Sequence, residues 1–455
     1  MNITVIGRNP ANAYSGGRYY AWILAEAIAK NHNLIYFTNA CPMFSNDFSS
    51  YESHKKIDLR LIDDKFNDLN CEEDIDIIFF IPGMDNDNSF YKNTLKFAQR
   101  KNAHLVLINF ESPNWFNKYS VIQRDEKLWD NWLMMSQFAS CILSISKEGD
   151  FYAKDFYNNV PDSAIFDYCY PAINSKVADR IYSDCSIAKE NRIIMTARFS
   201  LSDHKGSYNI PHLFCEEMRG YTFVLILGAG DVPKNIKREI EERASQYGVS
   251  IEYKHTLSDQ KKFIEFKRAK LLLFPSFFEG YGYPPVEAQY LNTACVAFRI
   301  PVLEETSPNI DFAVLGDWEQ FKAKIGNVLI REEREYREGI SEIASFDSMV
   351  KKINLVISKL ADNPVPSELK DMSSINVSSG GSIGDRSPNS AKTLFRRLVG
   401  FESYILVRQD YHSYRCGTFG IATFSLKLFS NLIVKKLVSK ETHSKILEIY
   451  KIIKG

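Results

Sequence analysis

The sequence predicts an α/β protein made of two consecutive doubly wound units facing a cleft, followed by a helical, basic C-terminal extension. Three observations predict it. A length of 455 residues is more than one ordinary core accommodates. Short apolar runs alternate with helical patterns from residue 3 to about residue 169, and the alternation restarts after Pro171. Within the runs, successive residues are apolar rather than every second one, the pattern of parallel strands covered on both faces.

The first unit, residues 1–170, has expected strands at Ile3–Gly7, Leu34–Thr38, Ile75–Ile81, His104–Phe110 and Cys141–Ser146. After the first of these, Gly16-Gly17-Arg18 opens a helix over Tyr19–Ala29; glycines let such a loop approach a ligand closely, and Arg18 suits a phosphate. In the second unit, residues 171–361, strands are expected at Arg192–Thr196, Phe223–Gly228, Ile251–Tyr253, Lys270–Phe274 and Thr293–Phe298. Helices are expected near Asn209–Met218, Val232–Tyr247 and Asp259–Arg268, and a helical stretch from Asp317 to Leu360 closes the unit. Residues 362–390 turn to Ser, Gly, Asn and Pro, the composition of a flexible linker. Residues 391–455 carry twelve Lys and Arg against four Asp and Glu, a net +8 in a chain of formal charge +0. Segments there such as Ile421–Leu437 mix apolar residues with lysines, which fits either a helix on an anionic membrane surface or a bundle packed on partner helices.

Zero net charge gives no bias toward nucleic acid. The eight cysteines are scattered without a Cys-x-x-Cys pair, as free thiols in a reducing compartment would be. The N-terminus leads straight into a strand pattern, so no signal peptide is expected, and no apolar run is long enough to span a bilayer. The expected location is cytoplasmic, or peripheral at the inner face of the membrane.

The chemistry concentrates at residues 274–288. An apolar run ends at Pro275, a glycine turn spans Gly280 to Gly282, and Pro284-Pro285 opens a helix carrying Glu287. A strand–loop–helix junction of this kind aims backbone N–H groups and the positive helix end into a crevice suited to phosphate. Glu279 and Glu287 bracket it, and two carboxylates can grip hydroxyls. Arg198 and Lys205 follow another strand in the loop Ala197–Gly206 and supply cations. No metal is expected: the nearest Asp-x-Asp, Asp85-Asn-Asp87, lies in a polar turn.

Glu279-Gly-Tyr-Gly-Tyr-Pro-Pro-Val-Glu287-Ala, then Asn292-Thr-Ala-Cys-Val-Ala and Ile300-Pro-Val-Leu-Glu304, resembles the signature of the retaining glycosyltransferases of family 4, the glycosyl transferases group 1. Ala197-Arg-Phe-Ser-Leu-Ser-Asp-His-Lys-Gly206 resembles that family's Gly-Arg-Leu-x-x-x-Lys-Gly element. The likeness is firm over about residues 190–305, looser over 1–170 and absent beyond 365. It implies the GT-B architecture: a Rossmann-like acceptor domain, a Rossmann-like nucleotide-sugar domain, and a last helix, Ser341–Leu360, crossing back onto the first. It also implies that Arg198 and Lys205 clamp a diphosphate, that Glu279 holds a hydroxyl of the donor sugar, and that Glu287 holds the ribose. The backbone of Gly280, Tyr281, Gly282 and Tyr283 would line the sugar and phosphate pocket. Gly228-Ala-Gly230 resembles the family's turn beside the nucleotide, or is a tight turn and nothing more. Tyr253 and Lys254 fall in the base-binding stretch, either flanking the base or as a core tyrosine and a surface lysine.

Departures from the family pattern are Tyr283 for Leu, Asn292 for Gly and Ala294 for Pro. The His that many relatives carry after the fourth strand is replaced by Asn109-Phe-Glu111, where Glu111 either takes over contacts to acceptor or donor hydroxyls or bonds to backbone. The implied activity is transfer of a hexose, with mannose pointed to by the double Pro, from a GDP- or UDP-linked sugar to a hydroxyl of a glycan or lipid-linked acceptor in surface polysaccharide synthesis such as that of lipopolysaccharide. No cofactor is implied beyond the nucleotide sugar. The alternatives are a non-catalytic nucleotide-sugar-binding scaffold of a polysaccharide assembly complex, and a GT-B epimerase or phosphorylase.

Overall fold

Two parallel sheets organise the chain. The computed structural model describes residues 1–9, 15–84, 88–120, 122–199, 204–228, 230–332 and 334–370. The first sheet holds β1 (Asn2–Gly7), β2 (Asn33–Thr38), β3 (Ile57–Leu61), β4 (Ile77–Ile81), β5 (His104–Asn109), β6 (Cys141–Ser144) and β7 (Ile165–Tyr168), in the order β3-β2-β1-β4-β5-β6-β7. The second holds β8 (Arg192–Ala197), β9 (Thr222–Leu227), β10 (Ser250–His255), β11 (Leu271–Phe274), β12 (Ala294–Phe298) and β13 (Asp311–Ala313), in the order β10-β9-β8-β11-β12-β13. Central strands such as β4 and β11 are buried at every residue, because helices cover both faces. In both sheets the strand order reverses once, between β1 and β4 and between β8 and β11, and such switch points open a crevice at the carboxyl ends of the strands.

The structure adds three strands to those expected. β3, β7 and β13 are all sheet edges, and their sequences Ile-Asp-Leu-Arg-Leu, Ile-Phe-Asp-Tyr and Asp-Phe-Ala interrupt the apolar run with charge, which solvent admits in β3 and ion pairs to Lys352, Lys359 and Arg331 admit in β7 and β13. The helix expected over Asn209–Met218 is instead two short 3₁₀ turns, Ser207–His212 and Glu216–Met218; Pro211 inside the first withholds an N–H that an α-helix would need. The stretch 317–360 is not continuous but breaks into Trp318–Ile330, Ile340–Ala344 and Phe346–Ala361. Residues 362–370, assigned to the linker from composition, remain packed: Leu369 is buried, and Gln99 Nε2 donates to the Lys370 carbonyl at 3.0 Å. The rest of the expected linker and the basic extension lie outside the described residues, as does Asp85-Asn-Asp87.

The helix Phe346–Ala361 ties the second lobe to the first. Phe346, Met349, Val350, Ile353, Val356, Ile357 and Leu360 recur every three to four residues and are all buried, one face of which lies along the helix Gly16–Ala29. Ser345 caps its N-terminus by accepting from the Ser348 N–H. Polar contacts fix its register: Lys30 to Asp347 at 2.6 Å, His32 Nε2 with Asn354 Oδ1 at 2.9 Å, and Lys352 and Lys359 on the two oxygens of Asp167 at 2.6 and 2.8 Å. Burial pushes the Asp167 carboxyl up, but the two ammonium groups and the Tyr168 N–H outweigh it and hold it below the usual carboxylate value. Asp167→Asn should therefore lower stability by about 1–2 kcal/mol at neutral pH, a charged hydrogen-bond pair discounted for the solvent that reaches both lysines. Because the native carboxyl ionises at lower pH than the unfolded one, the wild-type advantage is full above about pH 3.9 and fades as pH falls through the native value. Urea melts of both proteins at pH 7 and in acid measure this; equal stability at pH 7 would remove Asp167 as the pin of this helix.

Candidate active site

Both switch points open on one cleft of about 550 Å³. The first lobe contributes Ser15 to Arg18 and Tyr20 from the start of the helix Gly16–Ala29, Pro82 to Met84 after β4, and Phe110 and Glu111 after β5. The second contributes Arg198, His204 and Lys205 after β8, Gly228 after β9, Thr256 and Leu257 after β10, and Phe278 to Pro284 with Glu287 after β11.

The loop after β11 is shaped by what it must pass. Gly282 has φ +89° and caps the helix Tyr283–Tyr290, whose first turn holds Pro284; a Cβ at Gly282 would stand 2.5 Å from Leu303 Cδ2. At Gly280 a Cβ would meet the Phe110 carbonyl oxygen at 2.6 Å and Ile145 Cδ1 at 2.9 Å, so the backbone of one lobe lies directly on the other. Aromatic rings continue that contact. Phe278 packs edge-on to Trp115 and Phe116 with centroids at 5.0 and 4.8 Å, and Tyr283 packs edge-on to Tyr19 at 5.2 Å. Thr306 donates its hydroxyl to the Tyr281 carbonyl at 2.9 Å and steadies the loop from behind, while the Tyr281 ring turns inward and is buried.

Charged groups occupy the floor and walls in facing pairs. Lys205 Nζ donates to Glu279 Oε1 at 2.5 Å. Burial pulls the Lys205 ammonium down and Glu279 opposes it. Arg198 opens onto the cleft, yet the protein around it draws its guanidinium down, with Glu279 and Glu111 supporting the charge. Between these cations His204 is buried; desolvation and the charges of Lys205, Arg198 and Arg124 drive its imidazole well below the ordinary value, so it is neutral at pH 7 and its Nε2 accepts from Arg198 Nη2 at 3.4 Å. Glu287 is nearly inaccessible. Burial lifts its carboxyl to about 7, against the pull of Lys262, whose Nζ lies 2.8 Å from Oε1. On the opposite wall Glu111 pairs with Arg124, which also lies 3.7 Å over the Phe116 ring; burial raises the Glu111 carboxyl, and Arg124, Arg198 and Lys205 draw it back.

The structure thus brings together Arg198, Lys205, Glu279, Glu287, Gly280 to Tyr283, Gly228, Gly16, Gly17, Arg18 and Glu111. It does not bring Tyr253, which lies inside edge strand β10 with its hydroxyl toward Glu241 at 3.4 Å and the Lys237 ammonium over its ring. Thr256 and Leu257, just beyond the strand's end, are the residues of that stretch that reach the cleft. Lys254 pairs with Glu265 at 2.6 Å. Sequence reasoning missed Lys262, Arg124 and the role of His204: the first two carry no motif or spacing signal, and His204 sits unassigned within the Ala197–Gly206 element. Among the described residues no cluster of three His, Cys, Asp or Glu side chains is arranged to hold a metal ion.

Residues 186–345 match the family model of the Glycosyl transferases group 1, so the second lobe is a domain of that class. A segment of 89 residues, 20% of this chain, is 28% identical to the O-antigen chain mannosyltransferase RfbU of Salmonella typhimurium and spans only 25% of that protein's length. Among solved structures, sucrose-phosphate synthase from Thermosynechococcus elongatus superposes with TM-score 0.60 at 14% identity, over 79% of this chain and 99% of the other. Anabaena HepE, solved with UDP-glucose, gives 0.59 at 12% identity over 79% and 99%. The pneumococcal O-GlcNAc transferase GtfA, solved with UDP and GlcNAc, gives 0.59 at 11% identity over 80% and 99%. At such identities the likeness establishes the fold, two Rossmann-like sheets in the GT-B arrangement.

A methyl group at residue 280 must push the lobes apart or distort the loop. Gly280→Ala should cost about 1–3 kcal/mol of overpacking and lower the calorimetric melting midpoint by several degrees. An unchanged midpoint would mean that the two lobes do not meet at Phe110 in solution.

Proposed function

We propose that the protein is a retaining glycosyltransferase that moves a hexose from a nucleoside diphosphate sugar to a hydroxyl of a glycan or lipid-linked acceptor. The observation that carries this reading is the contact of Lys205 with Glu279 beside Arg198, at the switch point of the second sheet and beneath the N-terminus of the helix Tyr283–Tyr290. In this reading Arg198, Lys205 and the loop N–H groups take the diphosphate, whose charge grows as the sugar departs. Glu279 accepts from a sugar hydroxyl and Glu287 from the ribose hydroxyls. The bond between the anomeric carbon and the phosphate oxygen breaks with its electron pair staying on the phosphate. The acceptor oxygen then bonds to the same face of that carbon, and its proton passes to the departing phosphate. Glu111 and Arg18 stand on the acceptor side of the cleft, and neutral His204 keeps Arg198 turned toward the phosphates. The likeness to a mannosyltransferase of O-antigen synthesis supports GDP-mannose as the first donor to try and surface polysaccharide as the setting. UDP-glucose, the ligand of one structural neighbour, and a UDP-linked GlcNAc, after the UDP and GlcNAc bound to another, come next. A cytoplasmic enzyme whose extension, residues 391–455, docks on an anionic membrane surface or on partner helices fits the charge of that segment.

A donor screen tests the reading: purified protein with GDP-mannose, UDP-glucose, UDP-galactose and UDP-N-acetylglucosamine, following released nucleotide. One donor should be turned over, and Lys205→Ala or Glu279→Ala should each reduce that release at least a hundredfold, about 2.7 kcal/mol of transition-state stabilisation. Nucleotide binding without release from any donor, in the presence of lipid-linked and glycan acceptors, would favour a scaffold that keeps the fold without the reaction.

A further inference from the structure

Lys262 lies in the wall of the cleft at the start of the helix Asp259–Arg268, with no counterpart in the motifs that mark the site. Its ammonium is buried and makes two ion pairs, to Glu287 at 2.8 Å and to Asp259 at 3.0 Å, and it lies 5.4 Å over the Tyr19 ring. Asp259 is buried as well and is held from the other lobe. The Tyr19 hydroxyl donates to its Oδ2 at 2.7 Å, and its own N–H donates to Asp47 Oδ2 at 3.1 Å. Tyr19 belongs to the helix Gly16–Ala29 and Asp47 to the turn Ser45–Phe48, both of the first lobe. A chain of contacts therefore runs from the first lobe through Tyr19, Asp259 and Lys262 to Glu287.

Resting on the reading of Glu287 as the ribose-binding carboxylate, we propose that Lys262 is a positioning residue of the donor site: it aims Glu287 at the ribose, and Tyr19 of the opposite lobe, acting through Asp259, holds Lys262 in place, so that the ribose grip is complete only with the lobes closed. An ionised carboxylate is acceptor-only and can take a hydrogen bond from a hydroxyl on each oxygen, whereas protonation turns one oxygen into a donor and removes the charge that strengthens both bonds; an isolated buried carboxylate would take up that proton. The groups facing Glu287 are Lys262 and Asp259 from one helix and Tyr281 from the loop, with Tyr19 and Asp47 behind Asp259; Lys262 is the one cation among them. Glu287 ionises at about 7 with Lys262 in place, so removing that ammonium moves its ionisation to higher pH and leaves it protonated at pH 7.

The test is titration calorimetry of the full chain with the ribo- and 2′-deoxyribonucleoside diphosphates of uracil and guanine between pH 6 and 9. Wild type should bind one ribonucleotide at least tenfold more tightly than its deoxy analogue, with affinity falling as pH drops through about 7. Lys262→Met should erase most of that preference at pH 7 and move the pH midpoint upward, and Lys262→Arg should restore both. Tyr19→Phe, which keeps the ring packing, should lose severalfold of the preference and confirm that the variants report on position rather than on folding. Lys262→Met with an unchanged ribose preference and midpoint overturns the inference while leaving the donor site standing, and so does a wild type that binds both sugars equally. A wild type that binds none of these nucleotides overturns the donor-site reading itself, and this inference with it.

Discussion

The candidate site depends on two carboxylates, Glu279 and Glu287, held at the two ends of one strand–loop–helix junction, each faced by a lysine ammonium. Taking a carboxylate out of water is costly, and it stays charged there only beside a well-placed cation. Lys205 comes from the loop after β8 and Lys262 from the helix after β10, so each pair joins a different part of the second lobe to the junction after β11. The two pairs differ in exposure. Lys205 is partly open to the cleft and free to exchange its carboxylate for a phosphate, whereas Lys262 is enclosed and fixed by Asp259. One is suited to touching a ligand and the other to setting the geometry of the residue that does.

A single cleft needs both sheets to present their carboxyl ends to each other, and the structure shows how that apposition is held. Phe278, Tyr283 and the bare backbone at Gly280 meet aromatic rings and carbonyls of the first lobe with no room for a side chain. Glu305 accepts from the N–H groups of Lys147 and Glu148 at 2.7 and 3.1 Å, so the second lobe also neutralises the positive start of a first-lobe helix. Behind the cleft, the helix Phe346–Ala361 acts as a strap whose charged register contacts end on Asp167. These contacts leave the cleft as the open part of the interface between the lobes.

Much of this was legible in the sequence where burial is two-sided. The central strands could be read because helices above and below demand apolar residues at each position, and the junction after β11 could be read because Pro275, the glycines and Pro284-Pro285 each impose a distinct backbone restriction. The edge strands β3, β7 and β13 escaped because charge breaks their apolar runs: Asp58 and Arg60 of β3 reach solvent, while Asp167 and Asp311 are tolerated by lysine and arginine partners that come from distant helices and loops. Tyr253, open in the sequence between a base contact and a structural tyrosine, lies within the strand. Its stretch does approach the cleft, but only at Thr256 and Leu257, past the end of the strand. Lys262, Arg124 and His204 were not assigned because their significance arises from partners 25, 13 and 6 residues away, and no local pattern announces such pairings.

The most direct measurement is a crystal structure of the protein with the nucleoside diphosphate it binds. The diphosphate should lie between Arg198, Lys205 and the loop N–H groups ahead of the helix Tyr283–Tyr290, with both ribose hydroxyls about 2.5–3.0 Å from the Glu287 oxygens and Lys262 still on that carboxylate. A diphosphate held instead by Arg18 and Arg124 on the first-lobe wall, with the ribose away from Glu287, would contradict that placement.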